Sequence, residues 1–218
     1  MQFGYSSSWK RLSWNVSWSY SNTARQGTGN NNASDNTSEQ IYMLSLSVPL
    51  SGWWGNSYAT YSVSQNDNSG SSHQLGLSGT ALERNNLSWN LMQSYNSHDD
   101  EVGGNMSLTY DGTYGTVNGS YNYSQNSQRL NYGIRGGILA HSEGVTLSQE
   151  LGETIALVKA PGAAGLEIDN MRGAATDWRG YTVKTQLNPY DENRVAISDN
   201  YFSKSNIELD NTVVTMVP

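Results

Sequence analysis

The chain has 218 residues, with twelve basic and nineteen acidic side chains and a formal net charge of −7; that length suits one medium domain or two small ones, and that charge argues against binding nucleic acid. It has no cysteine, so it holds neither a disulfide nor a thiolate metal site. Its mean hydropathy is −0.61, with no apolar run near the ~20 residues a membrane helix needs, but membrane β-strands alternate in character and so average to low hydropathy.

The opening MQFGYSSSWKRLSWNVS lacks the apolar centre of a signal peptide, so any export signal is expected outside this sequence. Phe3 and Tyr5 mark a first candidate strand. The clearest follows over Arg11 to Ser21. There Leu12, Trp14, Val16, Trp18 and Tyr20 fall on one face, and Ser13, Asn15, Ser17 and Ser19 on the other. A period of two over this length is an extended strand with one apolar and one polar face. The pattern recurs at Tyr42 to Val48, Ala59 to Val63, Leu75 to Ala81 and Leu87 to Tyr95. It continues at Met106 to Tyr110, Val117 to Tyr123 and Leu130 to Ile138, giving about nine candidate strands.

The connections are expected to alternate. Thr23 to Ser38, Asn66 to Ser72 and Ser97 to Gly103 read as polar loops. Ser51-Gly52, Leu82 to Asn85 and Asp111-Gly112 read as tight turns. Up-and-down hairpins of this kind describe an outer-membrane barrel, and Trp9, Trp53, Trp54 and Tyr95 near strand ends suit interfacial girdles. A soluble sandwich or solenoid also alternates, so a soluble carbohydrate-binding or adhesin-like β-protein stays open. The polar face is nearly all Ser, Asn, Thr and Gly, where a soluble sheet usually carries Lys and Glu.

Asn-x-Ser/Thr occurs at Asn15, Asn32, Asn36, Asn86, Asn105, Asn118 and Asn122. A polar strand face places Asn and Ser two apart and generates this motif without glycosylation. His73, His98 and His141 lack a second ligand at zinc spacing. His98 with Asp99, Asp100 and Glu101 reads as a solvated loop tip, because a calcium loop needs alternating oxygen ligands and a placed glycine. No nucleophile elbow, P-loop or dinucleotide fingerprint occurs. No catalytic, cofactor-binding or metal residue is singled out, and no enzyme activity, cofactor or small-molecule substrate is expected.

Charge density doubles part-way along. The first 143 residues hold 15 charged side chains and the last 75 hold 16, while six of the seven Trp lie in the first part. A boundary is therefore expected near His141 to Val145, dividing 1–143 from 144–218. Beyond it, Ile155 to Val158 reads as a core strand and Ala160-Pro161-Gly162 as a turn. Leu166 with Ile168, Tyr181 to Val183, Val195 to Ile197, Ile207 to Leu209 and Thr212 to Thr215 add short strands. About six strands in this length suggest a small sandwich.

Three runs carry a family resemblance. They are Gly-Gly-x-x-Ala-His-x-x-Gly-Val-Thr-Leu from Gly136 to Leu147, Ala-Leu-Val-Lys-Ala-Pro-Gly-Ala from Ala156 to Ala163, and Thr-Asp-Trp-Arg-Gly-Tyr from Thr176 to Tyr181. With Pro189-Tyr190, Asn193 to Val195, Asn206 to Asp210 and Val217-Pro218, the chain resembles the outer-membrane ushers of chaperone–usher pili, closest to the type 1 fimbrial branch. The resemblance implies an all-β fold: the last strands of a transmembrane barrel over 1–143, then an incomplete periplasmic β-sandwich over 144–218. It implies that the chain is a fragment, because nine strands do not close an usher pore. Implied partners are periplasmic chaperone–pilus subunit complexes, pilus subunits and outer-membrane lipid. The implied work is donor-strand exchange and export of the fibre, with the chain alone inactive in secretion.

Overall fold

A computed structural model describes residues 1–25, 35–51, 55–67, 70–197 and 213–217. The fold is all-β, and none of the described residues is helical. Nine strands form one sheet in simple chain order: β1 (Gln2–Trp9), β2 (Leu12–Arg25), β3 (Asp35–Pro49), β4 (Ser57–Asn66), β5 (Gly70–Ala81), β6 (Leu87–Asn96), β7 (Glu101–Gly112), β8 (Gly115–Ser124) and β9 (Ser127–Arg135). Each strand pairs with its chain neighbours, so β1 and β9 are the edges.

The register keeps the two faces apart. Tyr5 pairs with Val16, Val16 with Leu44 and Leu44 with Val63. Trp14 pairs with Leu46, Leu46 with Tyr61 and Tyr61 with Leu75. On the opposite face Ser13 pairs with Ser47, and Asn15 with Ser45 and then Ser62. Side chains alternate with period two, so a one-residue slip would exchange the faces. Met43 and Ile41 are exceptions, because they pair with Ser64 and Asn66 on the polar face.

Three sequence expectations shift in detail. The ninth strand does not run to Ile138: β9 stops at Arg135 and Ile138 belongs to β10 (Gly137–His141). Gly136 lies between, where an added Cβ would come within 3.0 Å of the Ser148 carbonyl and 3.1 Å of the Tyr114 carbonyl. That close backbone approach is what the glycine permits. Asp111 and Gly112 lie inside β7, and the turn falls on the next two residues, before β8 starts at Gly115. Nor do loop lengths alternate cleanly, since β8 and β9 are joined by only two residues at the end expected to carry polar loops. Trp53, Trp54 and the expected strand at Ile207 to Leu209 lie outside the described residues.

After β10 come β11 (Gly144–Ser148), β12 (Ala156–Lys159), β13 (Tyr181–Lys184), β14 (Asn193–Ala196) and β15 (Val213–Met216). They pair as β10–β11, β12–β13 and β14–β15, all antiparallel. The expected boundary at 143/144 falls in the turn of the β10–β11 hairpin. The chain forms two compact units. One comprises Met1–Gly79, Trp89–Ser107 and Ser120–Leu130; the other comprises Thr80–Ser88, Leu108–Gly119 and Asn131–Pro218.

The packing differs between them. Among the described residues, every buried hydrophobic side chain lies between Ala156 and Ile197. One cluster joins Ala160, Ala163, Leu166, Ile168 and Ile197, with Val158 and Met171 against it. A second joins Ala156, Leu187 and Val195, with Val158 and Met216. Burying a side chain such as Leu166 or Val183 stabilises by roughly 1.5–3 kcal/mol. Among the described residues the sheet has no such interior. Phe3, Tyr5, Trp9, Val16, Tyr42, Leu75 and Leu91 all stand exposed.

Candidate functional site

Three features of this chain bear on function: the faces of the sheet, a polar junction later in the chain, and contacts that tie strand ends to the later segments. The exposed face of the sheet is aromatic and aliphatic. Phe3 stacks on Trp18 with ring centroids 5.9 Å apart, and Tyr5 meets Trp14 at 5.3 Å. Trp9 is exposed at the β1–β2 turn with the Lys10 ammonium 5.3 Å from its ring. Tyr95, at the other end of its strand, donates to Asp100 Oδ1 at 2.9 Å. A continuous exposed apolar surface of this kind marks contact with a membrane or a partner, because water penalises it.

The other face is mainly Ser, Asn, Thr and Gly, with Glu39 on it accepting from Asn66. A cavity of about 620 Å³ opens there over Ser6, Ser8, Ser13, Asn15, Ser47 and Thr60. Asn105 donates to Asn122 Oδ1 at 2.6 Å across this face. Two expected Asn-x-Ser/Thr sites are therefore partners in a strand-face hydrogen bond. Asn86 is buried and donates to the Asp111 carbonyl at 3.0 Å, which leaves its amide no access to a glycan.

The polar junction lies wholly within the second unit and gathers residues from all three motif runs. His141 bonds Thr146 Oγ1 across the β10–β11 hairpin at 3.0 Å, and its ring lies 5.1 Å from Tyr181. Tyr181 donates its hydroxyl to Glu143 Oε2 at 2.5 Å, and Lys159 pairs with Glu143 Oε1. Arg179 donates to the carbonyls of Glu143 and Val145. Asp177 Oδ1 accepts the Arg179 and Tyr181 amides at 2.8 and 2.9 Å. Gly180 sits at φ +88°, where a Cβ would collide with the Ala160 carbonyl, so the turn between Asp177 and Tyr181 requires glycine. The sequence showed His141 only as a histidine without a second ligand at zinc spacing. It missed Glu143, Lys159 and Tyr181 as a group, because the contact joins residues 38 positions apart.

The Glu143 carboxylate beside it raises the Lys159 ammonium above the ordinary lysine value, chiefly by hydrogen bonding. The same acceptor raises the Tyr181 phenol. Lys184 moves the other way. Burial pushes it down, partly opposed by the Asp169 charge, and its Nζ donates to the Asp169 carbonyl at 3.0 Å.

A third set of contacts, also within the second unit, ties strand ends to the later segments. Arg84 Nε meets Glu167 Oε1 at 2.8 Å. Gln149 donates to the carbonyls of Gly112 and Arg172 at 3.2 and 2.8 Å. Arg172 donates to Ser88 Oγ at 3.1 Å. Asn86 and Asp111 exchange backbone and side-chain bonds beneath these.

His98, Asp99, Asp100 and Glu101 stay exposed at the β6–β7 connection, with His98 Nε2 4.0 Å from Asp99. Among the described residues no group of three or more His, Asp or Glu is placed to hold a metal. His73 is bonded to Tyr61 at 2.8 Å and Ser71 at 3.3 Å.

Comparison with known proteins accords with this two-faced sheet. The family model described as outer membrane usher protein matches residues 1–218. The chain is 39% identical over 231 residues to the probable outer membrane usher protein ElfC of Escherichia coli O157:H7, covering 100% of this chain and 26% of ElfC. It is 36% identical over 228 residues to FimD of Escherichia coli (strain K12), covering 100% of this chain and 25% of FimD. A chain in the cryo-EM structure of the E. coli P pilus tip assembly intermediate PapC-PapD-PapK-PapG shares the fold. Its TM-score is 0.64 at 18% identity, over 97% of this chain and 27% of that one. This chain belongs to the outer membrane usher family, and it spans about a quarter of the length of the relatives it matches.

Proposed function

We propose that this chain supplies part of the pore wall of an outer-membrane usher for pilus biogenesis. Residues 1–143 form the transmembrane segment, and 144–218 form a domain on the periplasmic side. The single observation that carries the reading is the pair of unlike faces. The sheet shows aromatic and aliphatic side chains outward with no core behind them, and a Ser/Asn/Thr surface on the reverse. Membrane barrels place apolar residues against lipid and polar ones toward the lumen. A lumen lined mainly by small neutral hydroxyls and amides, with Ile41, Met43 and Glu39 as exceptions, offers little charge or greasy surface for a folded fibre to adhere to.

The partners of the whole protein would be outer-membrane lipid, periplasmic chaperone–subunit complexes and the pilus subunits themselves. The usher would take up such complexes and promote donor-strand exchange, in which one subunit's extended arm replaces the chaperone strand by β-augmentation. It would then pass the fibre outward. That exchange rearranges hydrogen-bonded strands and makes no covalent bond, so no catalytic side chain is called for.

The test uses a cell whose usher gene is deleted. The complete gene that contains this sequence should restore surface pili, seen by electron microscopy, and should fractionate with the outer membrane. The 218 residues alone should restore none. A complete product that stays soluble and monomeric without detergent would contradict the reading and favour a soluble carbohydrate-binding sheet.

A further inference from the structure

We infer that the β10–β11 hairpin is part of the membrane-contacting wall, with Ile138, Ala140, Val145 and Leu147 against lipid acyl chains. This rests on the pore-wall reading above and moves its boundary from residue 143 to the end of β11 at Ser148.

The first observation is an inverted hairpin. Its register pairs Ile138 with Leu147 and Ala140 with Val145. That face is apolar and exposed: Ile138 is 71% accessible, Val145 53% and Leu147 44%. The opposite face holds Gly137, Leu139, His141, Thr146 and Ser148, with Leu139 half-buried and Thr146 and Ser148 each 1% accessible. A hairpin wetted on one side normally turns its polar residues to water and its apolar ones inward. This one buries Thr146 and Ser148 and, apart from Leu139, turns its apolar residues outward, as a strand pair facing lipid does.

The second observation is continuity of phase. In β9 the exposed apolar positions are Leu130, Tyr132 and Ile134, with Tyr132 86% and Ile134 81% accessible. Two residues on stands Gly136, and then Ile138 and Ala140, so every even position from 130 to 140 is apolar or glycine. A transmembrane strand needs about 9–11 residues when tilted near 45°. The apolar run within β9 covers only five positions, Leu130 to Ile134, and the run to Ala140 covers eleven. β9 already has the nine residues such a strand needs, so the hairpin lengthens the apolar stripe beyond it. Its return strand ends beside the β7–β8 turn, where the Ser148 and Tyr114 carbonyls flank Gly136 and Gln149 donates to the Gly112 carbonyl.

The third observation concerns the tip. Arg179 grips the Glu143 and Val145 carbonyls, and its guanidinium lies 5.6 Å from the ring of Trp178. Trp178 is the one tryptophan beyond residue 143 and is 78% accessible. An exposed indole with an adjacent arginine is the usual chemistry of the lipid–water boundary.

Single cysteines test the placement, since this sequence contains none. The complete gene product, with any cysteine outside this sequence replaced, would carry Leu147→Cys, Val145→Cys, Tyr132→Cys or Glu192→Cys. Each would be labelled with an environment-sensitive fluorophore and reconstituted in phosphatidylethanolamine–phosphatidylglycerol vesicles with brominated acyl chains. The expected result is blue-shifted emission and loss of intensity at Leu147 and Val145, matching Tyr132, while Glu192 keeps water-like, unquenched emission. Quenching at Tyr132 with water-like emission at both hairpin positions would overturn the inference and leave the pore-wall reading standing. Water-like emission at Tyr132 as well would overturn both.

Discussion

The sheet β1–β9 and the segment from Ala156 to Ile197 solve opposite problems with the same residue types. In the later segment Leu166, Ile168, Val183 and Val195 turn inward and vanish from solvent. In the sheet Tyr5, Val16, Leu75 and Tyr132 turn outward and nothing covers them. Water drives the first arrangement through the hydrophobic effect. The second is stable only where the surroundings are themselves apolar, and there the closed hydrogen-bonding of neighbouring strands becomes the main requirement. The contrast shows that exposure of apolar residues, and not their number, separates the two regions.

Breaking the inward-facing region should have the largest effect. Leu166→Ala empties a site that is 0% accessible and should destabilise by about 2–5 kcal/mol. Hydrogen exchange over Ala156 to Ile197 reads the loss. The equivalent truncation Leu75→Ala, on the exposed face, should leave exchange in β5 nearly unchanged in detergent or vesicles. Equal losses at both positions would erase the comparison.

A charge should sharpen it from the other side. Leu75→Arg puts a guanidinium on the outward face, at a cost of about 2–4 kcal/mol near the bilayer midplane. Gln74→Arg, one residue earlier and on the reverse face, should cost little. Folding into vesicles against urea compares the two, and equal midpoints would deny that the faces meet different solvents.

Smaller effects belong to the junction. Arg179→Ala removes the donors to the Glu143 and Val145 carbonyls. Hydrogen bonds from charged groups contribute about 1.5–3 kcal/mol, and the partial exposure of Arg179 puts this one at or below the lower end. Faster exchange of the β10–β11 amides, with β14 unchanged, is the expected outcome.

The smallest is a pH effect at Lys184. Its folded-state value is pushed down by burial, so the unfolded chain binds the proton more readily. Stability should therefore rise with pH between the lowered folded value and the ordinary lysine value, and level off above it. Lys184→Met should abolish that rise in a series of urea midpoints taken at increasing pH. A wild-type midpoint that falls with pH over the same window would contradict the sign.

The strands were readable because period-two alternation is local. Leu12 to Tyr20 declares its faces without any partner, and the register only repeats that declaration across the sheet. The end of β9 was not readable, because apolar positions continue in phase through Gly136 to Ile138. Only the Tyr114 and Ser148 carbonyls crowding that glycine reveal the break. The junction was partly legible. The three motif runs were visible in the sequence, but that Glu143, Lys159, Arg179 and Tyr181 meet depends on hairpin pairing and on β12–β13 pairing. Turn positions such as Thr113-Tyr114 shifted by two residues because Asp111-Gly112, a strong local turn signal, lies inside paired strand β7. There Asp111 bonds Asn86 and Thr116.

The central claim is that the two faces of the sheet contact different media, and reactivity along one strand tests it most directly. Single cysteines at Gln74, Leu75, Gly76 and Leu77 in the complete gene product would be exposed, in intact outer membranes, to a water-soluble maleimide. The account predicts alternation: labelling at Gln74 and Gly76, and protection at Leu75 and Leu77. Uniform labelling of all four, or protection at Gln74 and Gly76 with labelling at Leu75 and Leu77, would contradict it.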